Sequence, residues 1–159
     1  LPADDTRLVL IGDGPDRDHL MARAREVGIG DRLLMPGFVT DPAAWYAHAS
    51  LFVLSSRWEG FGHVIVEAMA CGAPVLATDC PHGPRDIVTD GVDGGLVAVE
   101  DPGALAAAID ALLTDASTRE RLAEAGRRRA HRFDQARIVG ESDALMTRLC
   151  AGRPPRDTA

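Results

Sequence analysis

SSRWEGFGHVIVE, residues Ser55 to Glu67, lies between the apolar run Leu51 to Leu54 and the apolar stretch that continues to Ala70. A short apolar run, a polar turn carrying Gly60 and Gly62, and then apolar residues at helical spacing read as a strand, a tight turn and a helix. Doubly wound sheets bind ligands at such carboxyl ends of strands. The turn puts Glu59 just before the helix and Glu67 about a turn and a half inside it. The backbone between them is left unshielded by Gly60 and Gly62.

Each part has a chemical use. The first N–H groups of a helix beginning near Gly62 have no intrahelical partner and carry the positive end of the macrodipole, so they favour a phosphate or a developing anion. Glycine allows an oxygen to approach closely. Carboxylates accept hydrogen bonds from vicinal hydroxyls, so Glu59 and Glu67 suit sugar rings on either side of a diphosphate. Taken singly, either Glu also reads as a solvated surface carboxylate. Taken jointly, the stretch reads as a nucleotide-sugar site.

Outward from this centre, the chain alternates strands and helices. Arg7 to Ile11 reads as a buried parallel strand ending in Gly12-Asp13-Gly14-Pro15, and Asp16 to Val27 as a helix ended by Gly28. GDGPDR fails as a dinucleotide fingerprint, because Arg17 stands where the third glycine belongs. Arg32 to Met35 is a second strand running into Pro36-Gly37-Phe38-Val39, and Asp41-Pro42 opens a helix to Ala49. Within that helix Trp45 and Tyr46 read as core and rim packing.

Beyond the motif, Pro74 to Thr78 is a strand, and Asp79 to Asp86 a stiff loop on the same sheet edge as Glu59. Asp86 is expected to cap a short helix through Val88. Gly94 to Val99 is a last strand. Helices follow over Asp101 to Leu113, Ser117 to Ala130 and Phe133 to Leu149. The expected fold class is therefore α/β, a Rossmann-like parallel sheet with helices on both faces. Residues 1–150 form the domain and 151–159 a disordered tail.

Composition narrows the function classes. The chain has 159 residues, a net charge of −7 and 46% apolar content. All seventeen basic residues are Arg. An acidic chain without lysine is a poor candidate for general nucleic-acid binding. Its apolar runs fall short of the ~20 residues that span a bilayer and no signal segment opens it, so a cytoplasmic protein is expected. Cys71, Cys80 and Cys150 lack metal or disulfide spacing and are expected as reduced thiols. No acidic pair at a strand end argues for a metal, and neither metal nor cofactor is expected. Arg119, Arg121, Arg127, Arg128 and Arg129 suggest a peripheral contact with the inner face of a membrane in the sharper reading. In the preferred one they form a solvated face laced with ion pairs.

EGFGHVIVEAMACGAPVLATDCPHGPRDIV resembles the donor-binding segment of retaining glycosyltransferases of the GT-B fold, family 4. The pattern is a Glu, seven residues and a second Glu within E-G-F-G-x-V-x-x-E-A-M-A-x-G-x-P-V. Glu59, Gly60, Phe61, Gly62, Val64, Glu67, Ala68, Met69, Ala70, Gly72, Pro74 and Val75 match it. The resemblance implies transfer of a sugar from a UDP- or GDP-type nucleotide diphosphate sugar to an acceptor hydroxyl, with retention and without a required metal. It assigns Glu59 to the transferred sugar as the catalytic carboxylate, Glu67 to the ribose, and the amides of Phe61, Gly62 and His63 to the sugar and leaving diphosphate. Gly12 and Gly14 become backbone neighbours of the diphosphate, and Gly37, Phe38 and Val39 of the base.

The resemblance also implies a missing first strand and helix, a missing basic pair and a missing N-terminal acceptor domain. With the strand order 3-2-1-4-5-6 the missing strand would lie between those at Arg7 and Leu51, so the sheet either closes up or keeps a gap. Weak or no transfer by the chain alone is the resulting expectation. A nucleotide-sugar epimerase of the same fold and a non-catalytic binding or assembly module are the alternatives.

Overall fold

The structure, a computed structural model, describes residues 6–151. Strand β1 (Leu8–Ile11), helix α1 (Arg17–Glu26) and strand β2 (Leu33–Gly37) come first, with a 3₁₀ turn over Gly30–Arg32. Helix α2 (Ala43–His48), strand β3 (Phe52–Leu54) and helix α3 (His63–Ala70) follow. Then come β4 (Val75–Thr78), α4 (Pro84–Ile87), β5 (Gly95–Val97), α5 (Pro102–Thr114), α6 (Ala116–Ala130) and α7 (Gln135–Ala151). Every helix and strand anticipated over these residues is present, with boundaries shifted by at most two positions. Of the tail expected over 151–159, Ala151 is instead the last residue of α7, and residues 152–159 lie outside the described residues.

All strand pairings are parallel, and they fall into two sheets: β1 with β2, and β3-β4-β5. Of the two outcomes anticipated, the gap is the one found. β1 and β3 do not pair, so each presents an unpaired edge among the described residues.

The two sheets differ in cover. Every residue of β4 is buried, which requires packing on both faces, and α3, α5 and α6 all contact it. The core gathers there: Ile65, Met69, Val75, Leu76 and Ile87 have essentially no exposure, and α3 lies against α6. β1 was expected as a buried strand and is not one. Its burial alternates, with Val9 36% and Ile11 39% exposed, and Leu34 opposite them on β2 is exposed too. The pair buries one face only, and the alternate side chains of an otherwise apolar strand are left in solvent.

The arginines of α6 close other parts of the fold. Arg119 Nη1 donates to the carbonyls of Leu112 and Leu113 at 2.5 and 2.6 Å, covering the end of α5. Arg121 donates to the Gly91 carbonyl at 3.1 Å, and Arg128 pairs with Glu124 at 2.7 Å. Arg129 reaches the carbonyls of Asp86 and Ile87 at the end of α4. Cations at helix C-termini complement the dipole there and satisfy orphan carbonyls. No described helix is long and apolar enough to cross a membrane.

Asp115 makes the junction between α5 and α6. Its carboxylate accepts hydrogen bonds from Thr118 N at 3.0 Å, Thr118 Oγ1 at 2.7 Å and Ser117 Oγ at 2.9 Å. These donors, the Thr118 amide foremost, lower its pKa from 3.8 to about 2. A depressed folded-state pKa gives stability that is present above the unfolded value and lost as pH falls through the folded one. The thermal midpoint should therefore drop between about pH 4 and about pH 2. Asp115→Asn, which keeps an acceptor but cannot titrate, should show a shallower drop in the same scan. Superimposable acid limbs would remove Asp115 from the account.

Candidate functional site

The site is built where β3 hands over to α3. Gly62, at the N-cap of α3, has φ +90°, a left-handed conformation suited to glycine, and no side chain caps the first turn. His63 opens the helix and Glu67 lies four residues on, so both exposed side chains share a face. The expectation that a helix starts near Gly62 with Glu67 inside it holds.

Glu59 is half-buried and oriented. Ser56 Oγ donates to Glu59 Oε1 at 2.7 Å, and the buried Thr78, at the end of β4, donates from Oγ1 to the Ser56 carbonyl at 2.5 Å. The end of β4 thus fixes the chain leaving β3, which in turn fixes the carboxylate. Glu67 has a different neighbour. The hydroxyl of the buried Tyr46, on α2, faces its carboxylate, and burial first and Glu67 second push the phenol pKa up. Tyr46 is core, as expected, with its ring edge-on to Phe52 at 5.4 Å. Its polar end serves the site.

The loop after β4 closes the back. A Cβ on Gly83 would stand 2.2 Å from the Phe61 carbonyl oxygen, so Gly83 lies directly against the motif backbone. Asp86 caps the short helix as expected, but from its third position and not from the N-cap. It lies within α4 and accepts from Gly83 N at 3.2 Å, because Pro84 already supplies the first helical position. Cys80 is fully buried, and burial together with the Glu59 and Asp79 carboxylates pushes its thiol pKa up, which keeps it neutral. Arg85 is held by both oxygens of Asp79, and Arg57 pairs with Glu100 at 3.2 Å. His82 is exposed, with φ +64°.

The other expected residues form a second group. Gly12 N donates to the Gly37 carbonyl at 2.9 Å, bringing the two glycine turns together. Gly12 and Gly14 line a cavity of about 280 Å³ with Asp13, Arg17, Leu20 and Met35, and Arg17 Nη2 donates to the Met35 carbonyl at 2.7 Å. Phe38 is 80% exposed and Val39 half-buried. A larger cavity of about 530 Å³ lies at the ends of β3, β4 and β5, between Ser56, Thr78, Glu100 and Leu105. Glu59 and Glu67 line neither cavity; Glu59 is half-buried against Ser56 and Glu67 is exposed on α3. Carboxylate acceptors on either side of an uncapped helix start suit a hydroxyl-rich anion.

Residues 1–129 match the family model described as glycosyl transferases group 1. The chain belongs to the glycosyl transferases group 1 family. It is 39% identical over 119 residues to the lipopolysaccharide core biosynthesis glycosyltransferase LpsE of Rhizobium meliloti, covering 75% of this chain and 35% of that protein. It is 30% identical over 138 residues to an N-acetylgalactosaminyltransferase of Campylobacter jejuni acting on N-acetylgalactosamine-N,N'-diacetylbacillosaminyl-diphospho-undecaprenol, covering 87% of this chain and 38% of that one. Among solved structures, Anabaena Alr3699/HepE in complex with UDP superimposes with a TM-score of 0.84 at 28% identity, over 91% of this chain and 42% of that one. This group 1 chain therefore spans 35% to 42% of the length of these three relatives. Their likeness supports the Rossmann-like α/β reading as half of a GT-B glycosyltransferase.

Sequence reading of this glycosyltransferase chain missed Ser56, Thr78 and Gly83 as parts of the site. Ser56 had a signal in its spacing of three residues from Glu59. Thr78 and Gly83 had none, because their partners are remote in sequence.

Proposed function

We propose that this chain is the donor-binding part of a glycosyltransferase that moves a sugar from a UDP- or GDP-type nucleotide sugar to an acceptor hydroxyl, with retention, in glycan or glycolipid biosynthesis. The observation that carries this is the start of α3, where an N-cap glycine without a side-chain cap lies between an oriented Glu59 and an exposed Glu67. The solved relative Anabaena Alr3699/HepE binds UDP and UDP-glucose, which supports a nucleotide sugar as the partner.

In this reading Glu67 accepts from the ribose hydroxyls, and Glu59 from the hydroxyls of the sugar being transferred. The amides of Phe61, Gly62 and His63 meet the sugar and the diphosphate. Their fixed dipoles stabilise charge growing on the leaving group, which is the largest contribution a rigid site supplies. Gly12 and Gly14 let the diphosphate approach, and Gly37, Phe38 and Val39 meet the base. No metal is required for any of these contacts. The acceptor is held by a second domain of a longer protein, in keeping with the fraction of its relatives that this chain spans.

Calorimetric titration with UDP, GDP and their sugars tests the reading. A nucleotide sugar should bind more tightly than its bare nucleotide, and Glu59→Gln should remove roughly 1–2 kcal/mol of that margin while leaving the bare nucleotide unaffected. No heat with any nucleotide, from a sample shown to be folded, would contradict it and favour a non-catalytic module.

A further inference from the structure

The backbone that opens α3 is braced from two sides, and one guanidinium lies behind both braces. On the first side, Gly83 lies against the Phe61 carbonyl, and Ile87 of α4 approaches Gly62. Arg129 holds this element: its Nε donates to the Ile87 carbonyl at 2.7 Å and its Nη2 to the Asp86 carbonyl at 3.0 Å. On the second side, the Phe61 ring meets the Phe133 ring edge-on, with centroids 5.7 Å apart and planes at 68°. Arg129 lies over that ring as well, its Cζ 5.9 Å from the Phe133 centroid. The Arg129 side chain is 18% exposed and its Nε has Asp93, itself buried, 3.9 Å away. Arg128, its neighbour on α6, only makes an exposed pair with Glu124.

We infer that Arg129 and Phe133 are positioning residues for the Phe61–Gly62–His63 backbone. The planar fork of Arg129 fixes two consecutive carbonyls at the end of α4 while its face packs on Phe133, a combination that lysine cannot reproduce. Phe133 then sets the Phe61 ring through an edge-to-face contact, and Phe61 also packs on His63 at 5.0 Å. Rotation of the Phe61 ring or withdrawal of α4 frees the peptide whose amides face the proposed diphosphate. Amides aimed at growing charge lose effect when they move by a fraction of an ångström. Neither residue touches the donor, and both act through Phe61. The consequence for donor binding rests on the reading given under the proposed function; the bracing itself does not.

The test uses the 159-residue chain and three variants: Phe133→Leu, which keeps an apolar side chain, Arg129→Lys, which keeps the charge, and Arg128→Ala as the control. In ligand-free ¹⁵N spectra, the amide resonances of Gly62 and His63 should move in Phe133→Leu and in Arg129→Lys but not in Arg128→Ala. Resonances of β1 and β2 should stay in place in all three. UDP affinity should fall roughly three- to tenfold in the first two variants. If Phe133→Leu fails to fold, Arg129→Lys carries the same comparison. Unmoved Gly62 and His63 amides in a folded variant overturn the inference whatever UDP does. Moved amides in a chain that does not bind UDP uphold the bracing and sink the donor-site reading.

Discussion

Replacing Gly83 with alanine should destabilise the chain by about 3 kcal/mol or more, through two separate effects. The first is conformational. Gly83 has φ +84° and ψ −79°, outside the regions open to L-residues. The second is steric: the new Cβ would fall 2.2 Å from the Phe61 carbonyl oxygen and 2.6 Å from its carbon. Both are backbone atoms, so no flexible side chain can give way. Gly91 separates the two effects, since it too has positive φ, +70°, but an added Cβ there meets nothing within 4 Å. Gly91→Ala should cost only about 1 kcal/mol. For a domain of this size a loss of 3 kcal/mol lowers the thermal midpoint by roughly 6–12 °C. Equal midpoints for the two variants would show that the approach of Gly83 to Phe61 is not as close as described.

If Glu67 takes up the ribose hydroxyls as proposed, Glu67→Ala should weaken nucleotide binding by roughly 1.5–3 kcal/mol, because removing a charged acceptor leaves both hydroxyls unpaired. The folded state should lose about 1 kcal/mol, since Glu67 is exposed on α3 but its removal leaves the buried Tyr46 hydroxyl without that acceptor. The loss in binding should therefore exceed the loss in stability. Tyr46→Phe tests the neighbour. Removing the hydroxyl that faces Glu67 should give a smaller loss of affinity in the same direction, because the carboxylate stays but is less firmly directed. Nucleotide affinity unchanged in Glu67→Ala removes this residue from the site.

The elements were legible in the sequence because each carries a local signal. β4 shows as the continuous run Val75 to Thr78 after Pro74, α5 as Asp101-Pro102 before an apolar face, and α3 as Gly62 before Val64 to Met69. Two local signals misled in part. RLVLI has the composition of a strand buried on both faces, yet β1 buries one, since cover depends on elements that composition cannot report. Asp86 signals a cap and supplies one, but from within α4 to the Gly83 amide, because Pro84 sets the helix start earlier than Asp86 suggested.

Within the site, the motif residues were legible and the residues that hold them were not. Thr78 reaches Ser56 between two strands, Gly83 meets Phe61 across a loop, and Arg129 reaches back from α6 to α4. Each contact depends on tertiary approach, and no period or spacing in the chain encodes it. The arginines of α6 show the same limit. In sequence they form a charge run, while in the fold Arg119 and Arg129 serve as covers for the ends of other helices.

The central claim is that a nucleotide sugar meets this chain at the start of α3. Titrating UDP into the ¹⁵N-labelled chain and following its amide resonances tests that most directly. The account predicts that the largest shifts fall on Gly60, Phe61, Gly62 and His63, with further shifts at Gly12 and Gly37, and that Glu67→Ala diminishes them all at equal UDP. Shifts confined to the cavity between Ser56, Thr78 and Leu105, with the α3 amides unmoved, would contradict it.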